Sequence, residues 1–179
     1  MPCVGKARVG HPAPPFVCES VLADNFKEIS LDYYLAKKQW LILMFIPAAF
    51  SFVCPTEVLA FHNCNEEFTE RGCAVAFVST DSKYSLWQWQ HLPKNKGGIG
   101  HVSVPLLSDQ SHRMSRDYGV LVEKDGLDLR GMFIIDPKGI IQQITMNNIP
   151  VGRSVLEALR LVEAFKAVAE KGVLCPAGW

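Results

Sequence analysis

The sequence predicts an α/β fold in which a mixed central sheet is flanked by helices. Two buried strands with a helix between them, a strand–turn–strand unit, and a long closing helix carry that reading. Residues 40–46, WLILMFI, are apolar without a break, as in a strand covered on both faces, and Pro47 ends the run. Residues 74–78, AVAFV, repeat the pattern and close on the polar turn STDS at 79–82. Between them, 55–71 places Val58, Leu59, Phe61 and Phe68 at helical positions, with Gly72 as a stop. Two apolar strands around one helix suit a right-handed crossover. MFII at 132–135 is a third strand, DPKG at 136–139 a turn, and 140–145 its hairpin partner. Ser154 to Lys171 is the clearest helix. Ser154 and Glu157 form a capping box, Leu156, Leu159, Val162, Phe165 and Ala169 share a face, and Gly172 terminates it. Residues 1–16 hold four prolines and two glycines and read as an irregular lead-in. With no repeat or linker, 1–179 is expected to be one domain, ending in a short tail at 172–179.

Composition narrows the function classes. Lys plus Arg is 18 and Asp plus Glu is 18, so no global charge attracts nucleic acid or an anionic membrane. No run of about 18 apolar residues suggests a membrane span. The first residues lack the apolar core of a secretory signal, so a cytoplasmic protein is expected. Cys3, Cys18, Cys54, Cys64, Cys73 and Cys175 are too sparse for a disulfide scaffold, and no C-x-x-C occurs. Cys18, Cys64 and Cys73 read as small buried hydrophobes, and Cys3 as part of a loose terminus. His62, Cys64 and Cys73 are spaced too irregularly for zinc. No metal, haem or nicotinamide is called for. GGIG at 97–100 follows a lysine-rich loop rather than a buried strand, so it reads as a flexible loop and not as a dinucleotide fingerprint.

The informative stretch is FIPAAFSFVCPTE at 45–57. Cys54 precedes Pro55, a residue favoured at the start of a helix, and Glu57 stands where a capping-box acid would. Unpaired backbone N–H groups and the positive end of the helix dipole favour a thiolate there, the species that attacks an O–O bond. Ser51 offers a hydroxyl three residues earlier, and Pro47 stiffens the connection. Charge developing on a leaving oxygen calls for a cationic donor. Arg130 and Arg153 are the candidates, although spacing places neither beside Cys54 and the plain alternative for both is a surface salt bridge. Cys175, in the tail GVLCPAGW, reads either as an ordinary terminal thiol or as a resolving thiol that condenses with a sulfenic acid.

With these motifs in register, the whole chain resembles the typical 2-Cys peroxiredoxins, thiol peroxidases of thioredoxin-like fold. FSFVCPTE at 50–57 matches the family's active-site signature, with Pro47 as its proline, Ser51 as its hydroxyl residue and Cys54 as its peroxidatic cysteine. Glu57 matches the acid that holds the arginines. LRGMFIIDPKG at 129–139 supplies Arg130, PVGRSVLEALR at 150–160 supplies Arg153, and VLCPAGW at 173–179 supplies the resolving Cys175. The resemblance implies reduction of hydrogen peroxide and small alkyl hydroperoxides, with thioredoxin as the usual electron donor. It also implies a homodimer joined by edge strands, disulfides from Cys54 of each subunit to Cys175 of the other, and possible decamers of five dimers. GGIG at 97–100 resembles the family's loop associated with over-oxidation.

Several positions depart from the family pattern. Ala49 stands where an acid is usual, and Ser51 where Thr is usual. LWQWQHLP at 86–93 replaces a stretch near the family's dimer–dimer contact, which weakens the decamer expectation. The chain stops at Trp179 without the family's C-terminal Tyr-Phe helix, so a form that resolves quickly and resists over-oxidation is expected. Two rivals remain: a glutathione- or glutaredoxin-driven peroxidase using Cys54 alone, and a holdase chaperone or redox relay.

Overall fold

The computed structural model describes residues 5–179, so the expectation for Cys3 lies outside the described residues. Its centre is a seven-stranded mixed sheet. The chain runs β1 (Val17–Leu22), β2 (Asn25–Ser30), α1 (Leu31–Leu35), β3 (Trp40–Phe45), α2 (Cys54–Asn63), α3 (Asn65–Glu70), β4 (Cys73–Ser79), α4 (Lys83–His91) and β5 (Leu106–Ser108). It continues through α5 (Arg113–Tyr118), β6 (Leu121–Val122), β7 (Leu127–Asp128), β8 (Arg130–Ile135), β9 (Ile141–Asn147) and α6 (Val155–Lys171). The strand order is β2-β1-β5-β4-β3-β8-β9, with β6 and β7 as a separate ribbon. β3, β4 and β5 run parallel, and the remaining neighbours pair antiparallel. This is the thioredoxin-like layout, a mixed sheet flanked by helices.

The expected strands fall at the centre for a physical reason. Every residue of β3 and of β8 is buried, as continuous apolar runs require. Their alternation splits the core in two. Ile42 and Met44 face Val58, Phe61, Phe68, Trp89 and Val162, while Leu41, Leu43 and Phe45 face Leu31, Tyr34, Met114 and Tyr118. Among the described residues no helix is long and apolar enough to cross a membrane.

Three expectations need correction. The 55–71 helix breaks at Cys64, whose φ of −100° and ψ of 11° leave the helical region. His62 and Asn65, on either side of the break, both bond the Ser103 hydroxyl. The 97–100 segment is irregular but anchored rather than loose. Ile99 is buried and its N–H donates to the Trp89 carbonyl, Gly100 N–H donates to Leu92, and a side chain at Gly98 would strike the Leu92 carbonyl. The capping box at the start of α6 is half made. Ser154 accepts from the Glu157 N–H, while the Glu157 carboxylate turns to Arg160.

A buried polar knot precedes β8. Asp128, fully buried, and Asp109 both sit on the Ser115 hydroxyl, at 3.0 and 2.7 Å. One hydroxyl proton cannot serve two carboxylates. Asp109 also accepts from the Ser115 N–H and the Ser111 hydroxyl. Asp128 has the Ser115 hydroxyl at its Oδ2 and no hydrogen-bond partner at its Oδ1. Burial raises its pKa to about 8, with Asp109 and Asp81 adding to the effect and Ser115 opposing it. The native state thus holds a proton that the unfolded chain releases above its ordinary value of 3.8. Stability falls as pH rises from about 4 toward about 8, by at most about 1.4 kcal/mol per pH unit, and then levels off. Asp128→Asn should flatten this slope in urea unfolding from pH 5 to 8 and leave the variant the more stable form at pH 8. An unchanged slope would mean Asp128 is ionised throughout.

Candidate active site

Cys54 opens α2 from a loop that leaves β3 at Ile46. The first half of the loop is fixed. Ile46 N–H donates to the Val78 carbonyl, Pro47 is buried, and Ala49 N–H donates to Asp81 Oδ2 at 2.7 Å. Asp81, which sequence reasoning treated only as part of a turn, is locked by the Ser79 hydroxyl at 2.6 Å. The STDS turn was the signal available for it. Pro55 follows Cys54 as the second helical residue, so this turn misses a donor it would not have used.

Four sequence candidates converge at the sulfur. Cys54 is completely buried, and Arg130 Nη1 donates to its Sγ at 3.3 Å. The same nitrogen donates to Glu57 Oε2 at 2.6 Å, and Arg130 Nε donates to the Ile149 carbonyl at 2.6 Å. Arg153 grips the other side of Glu57. Its backbone N–H and Nε reach Oε1 at 2.7 and 2.8 Å, and Nη2 reaches Oε2 at 2.9 Å. Arg153 Nη1 also donates to the Gly131 carbonyl. Neither arginine is a surface salt bridge, since all three charged side chains are at most 3% exposed.

Glu57 does not cap α2 as the spacing suggested, because both its oxygens are taken by the arginines. Burial alone would raise its pKa. The hydrogen bonds and charge of Arg153, with the charge of Arg130, outweigh that and hold it below the usual carboxylate range. One carboxylate against two guanidiniums leaves one surplus positive charge next to Sγ. The carbonyls of Ile149 and Gly131 escaped sequence reasoning, since backbone acceptors carry no residue signature. Gly152 is different. A side chain there would press on Val53 and Glu57 at 3.3 to 3.5 Å, so its glycine marks the close approach that seats Arg153.

Ser51 and Cys175 lie outside this cluster. The Ser51 hydroxyl donates to the Ala48 carbonyl at 2.9 Å. Cys175 is half-buried on the tail, with Sγ 3.6 Å from the Ala164 carbonyl of α6, and both it and Cys54 are free thiols. The tail is fastened by Arg160, which donates to the Trp179 carbonyl at 2.9 Å. Of the remaining thiols, Cys18 and Cys73 are pushed up to about 12 by burial, with nearby acids adding to the effect at Cys18. Both are thereby unsuited to nucleophilic work at neutral pH. Cys64 is half-buried against the core.

The comparisons agree with this geometry. The AhpC/TSA family model matches residues 9–144. Peroxiredoxin TSA2 of Saccharomyces cerevisiae is 53% identical over 97% of this chain and 87% of its own length. Thioredoxin peroxidase of Echinococcus granulosus is 47% identical over 97% of this chain and 89% of its own. The reduced 2-Cys peroxiredoxin of Plasmodium vivax superposes with a TM-score of 0.92 at 40% identity, covering 96% of this chain and 88% of that one. A buried cysteine under a guanidinium, in a fold and sequence shared along nearly the whole chain, makes this protein a member of the AhpC/TSA family, a 2-Cys peroxiredoxin with thiol-dependent peroxidase activity.

Proposed function

We propose that the chain reduces hydrogen peroxide and small alkyl hydroperoxides through Cys54, that Cys175 of a second copy resolves the product, and that a thioredoxin-type dithiol returns both sulfurs to thiols. The observation that carries the reading is the Arg130 Nη1–Cys54 Sγ contact of 3.3 Å, backed by the surplus positive charge of the Arg130–Glu57–Arg153 set. A thiolate at Cys54 makes that set neutral.

In the first step the Cys54 thiolate attacks one peroxide oxygen. The S–O bond forms as the O–O bond breaks, and the leaving oxygen takes a proton and departs as water or an alcohol. Arg130 is fixed before the reaction and stabilises charge on the sulfur and on the stretched bond without reorganising. Arg153 positions Glu57 and, through it, Arg130. Ser51 would turn its hydroxyl from Ala48 to the bound peroxide, and Pro47 would keep the loop closed over the sulfur. In the second step the Cys175 sulfur displaces hydroxide from the Cys54 sulfenic acid, giving a disulfide and water. Exchange with an external dithiol then restores two thiols.

The homodimer is supported by β9, which forms an edge of the sheet and leaves Met146 40% exposed. The name of the Echinococcus relative supports thioredoxin as donor. The test is non-reducing peptide mapping by mass spectrometry after one equivalent of hydrogen peroxide. A Cys54–Cys175 peptide in a covalent dimer is expected. Sulfenic acid at Cys54 with Cys175 free would move resolution to an outside thiol, and two unchanged thiols would remove Cys54 from the chemistry.

A further inference from the structure

Far from the cysteine site in sequence, three side chains suited to a metal ion meet. One donor atom each from Asp24, His91 and His101 lies within 4.8 Å of the others. The residues come from separate parts of the chain. Asp24 is the second residue of the two-residue turn between β1 and β2, His91 ends α4, and His101 follows the anchored 97–100 segment. Asp24 Oδ1 lies 2.8 Å from His101 Nδ1 and 3.5 Å from His91 Nε2. These are not the His62, Cys64 and Cys73 weighed on spacing, of which His62 is engaged with Ser103.

The His91 ring is already set for ligation. Its Nδ1 lies 2.7 Å from the Trp87 carbonyl. A carbonyl only accepts, so Nδ1 carries the proton and the lone pair of the neutral ring sits on Nε2, turned toward Asp24. A carbonyl on the far nitrogen is the usual partner of a ligating histidine. Trp87 also stacks on His91, with ring centroids 3.7 Å apart and planes 23° apart. Its Nε1 donates to the Asp24 carbonyl at 3.3 Å. A single indole therefore touches two of the three residues, His91 through its ring and Asp24 through its backbone. The His91 and His101 rings meet edge to face, with centroids 5.2 Å apart.

Tetrahedral zinc with bonds of about 2.0–2.2 Å places its donors about 3.3–3.5 Å apart. The Asp24–His91 separation meets this as it stands. The Asp24–His101 hydrogen bond would lengthen by about half an ångström as the ion replaces its proton. Three protein donors leave a fourth position, and the side chains are 49%, 27% and 67% exposed for Asp24, His91 and His101, so water can fill it. Two imidazoles with one carboxylate suit zinc and its neighbours in the first transition row rather than magnesium or calcium.

We propose that Asp24, His91 and His101 form a binding site for a divalent transition-metal ion of the zinc type, which cross-links the β1–β2 turn, the end of α4 and the segment following Gly100. Bound metal stabilises the folded chain and leaves the chemistry at Cys54 untouched.

The full-length protein, reduced and metal-free, is titrated with Co²⁺ and then with Zn²⁺. One equivalent of Co²⁺ should give visible d–d bands without a thiolate charge-transfer band, and Zn²⁺ should displace it and raise Tm. His101→Ala should weaken binding at least about 10-fold, the scale found even for residues behind the ligands. It should also abolish the rise in Tm, with peroxide turnover in metal-free buffer unchanged. Asp24→Asn, which a positive-φ turn tolerates, should behave likewise. No binding at micromolar metal would overturn the proposal. So would binding that survives the double variant, or a cobalt spectrum dominated by thiolate, which would put the ion on the cysteines.

Discussion

Glu57→Gln should lower folding stability by about 3–5 kcal/mol, the cost of leaving buried charges uncompensated. The side chain is 3% exposed and receives Arg130 Nη1 and three donors of Arg153. An amide of the same shape offers one acceptor oxygen and turns an NH2 toward a guanidinium, so two buried cations face each other with no counter-charge. Wild-type pH dependence should carry the same signature. The native carboxyl titrates below the unfolded value, near 4.5, so the ionised form's contribution is complete above that value and is lost as pH falls through the native one. Urea unfolding from pH 7 to pH 3 should show wild type losing this component and Glu57→Gln lacking it. A penalty under about 1 kcal/mol at pH 7 would mean that the two arginines find other acceptors.

Arg130→Lys should slow the reaction of Cys54 with peroxide by about 10²–10³, the usual cost of removing one preorganised donor. Charge alone is not what the site uses. The guanidinium spans Ile149, Glu57 and Cys54 at 2.6, 2.6 and 3.3 Å from two nitrogens. A single ammonium cannot reach all three directions. Rapid-quench measurement of a single turnover isolates this step from reduction of the disulfide. A variant within about 3-fold of wild type would show that a point charge suffices and would shift the catalytic emphasis to the loop and helix start.

The central elements were legible because burial on both faces writes a continuous apolar run, as in β3, β4 and β8. The strands β1 and β2 were not, since they form one edge of the sheet, where Val17 and Phe26 remain exposed. α4 buries only Leu86, Trp89 and Gln90, too narrow a stripe to register. Its N-cap Ser82, which accepts from the Ser85 N–H, was read only as the end of a turn. β5 and α5 are three and six residues long, too short for any period. At the site, the residue types of Cys54, Glu57, Arg130 and Arg153 pointed to the chemistry, but their meeting did not follow from spacing. Family resemblance supplied it, and the contact distances now give it a physical form. Glu57 shows the limit of local rules. Its position fits a helix cap, yet partners 73 and 96 residues away claim it.

Those separations bear on the order in which the protein is made. Glu57 and Cys54 leave the ribosome long before Arg153, so the nascent chain carries an acid and a thiol whose cationic partners do not yet exist. β3 can pair with β4 at that stage, but β8, between β3 and β9, has still to be inserted beside it. Contacts this distant in sequence slow folding, because loop closure costs entropy before they can form. A chain interrupted before residue 153 therefore lacks one of the two guanidiniums that meet Glu57.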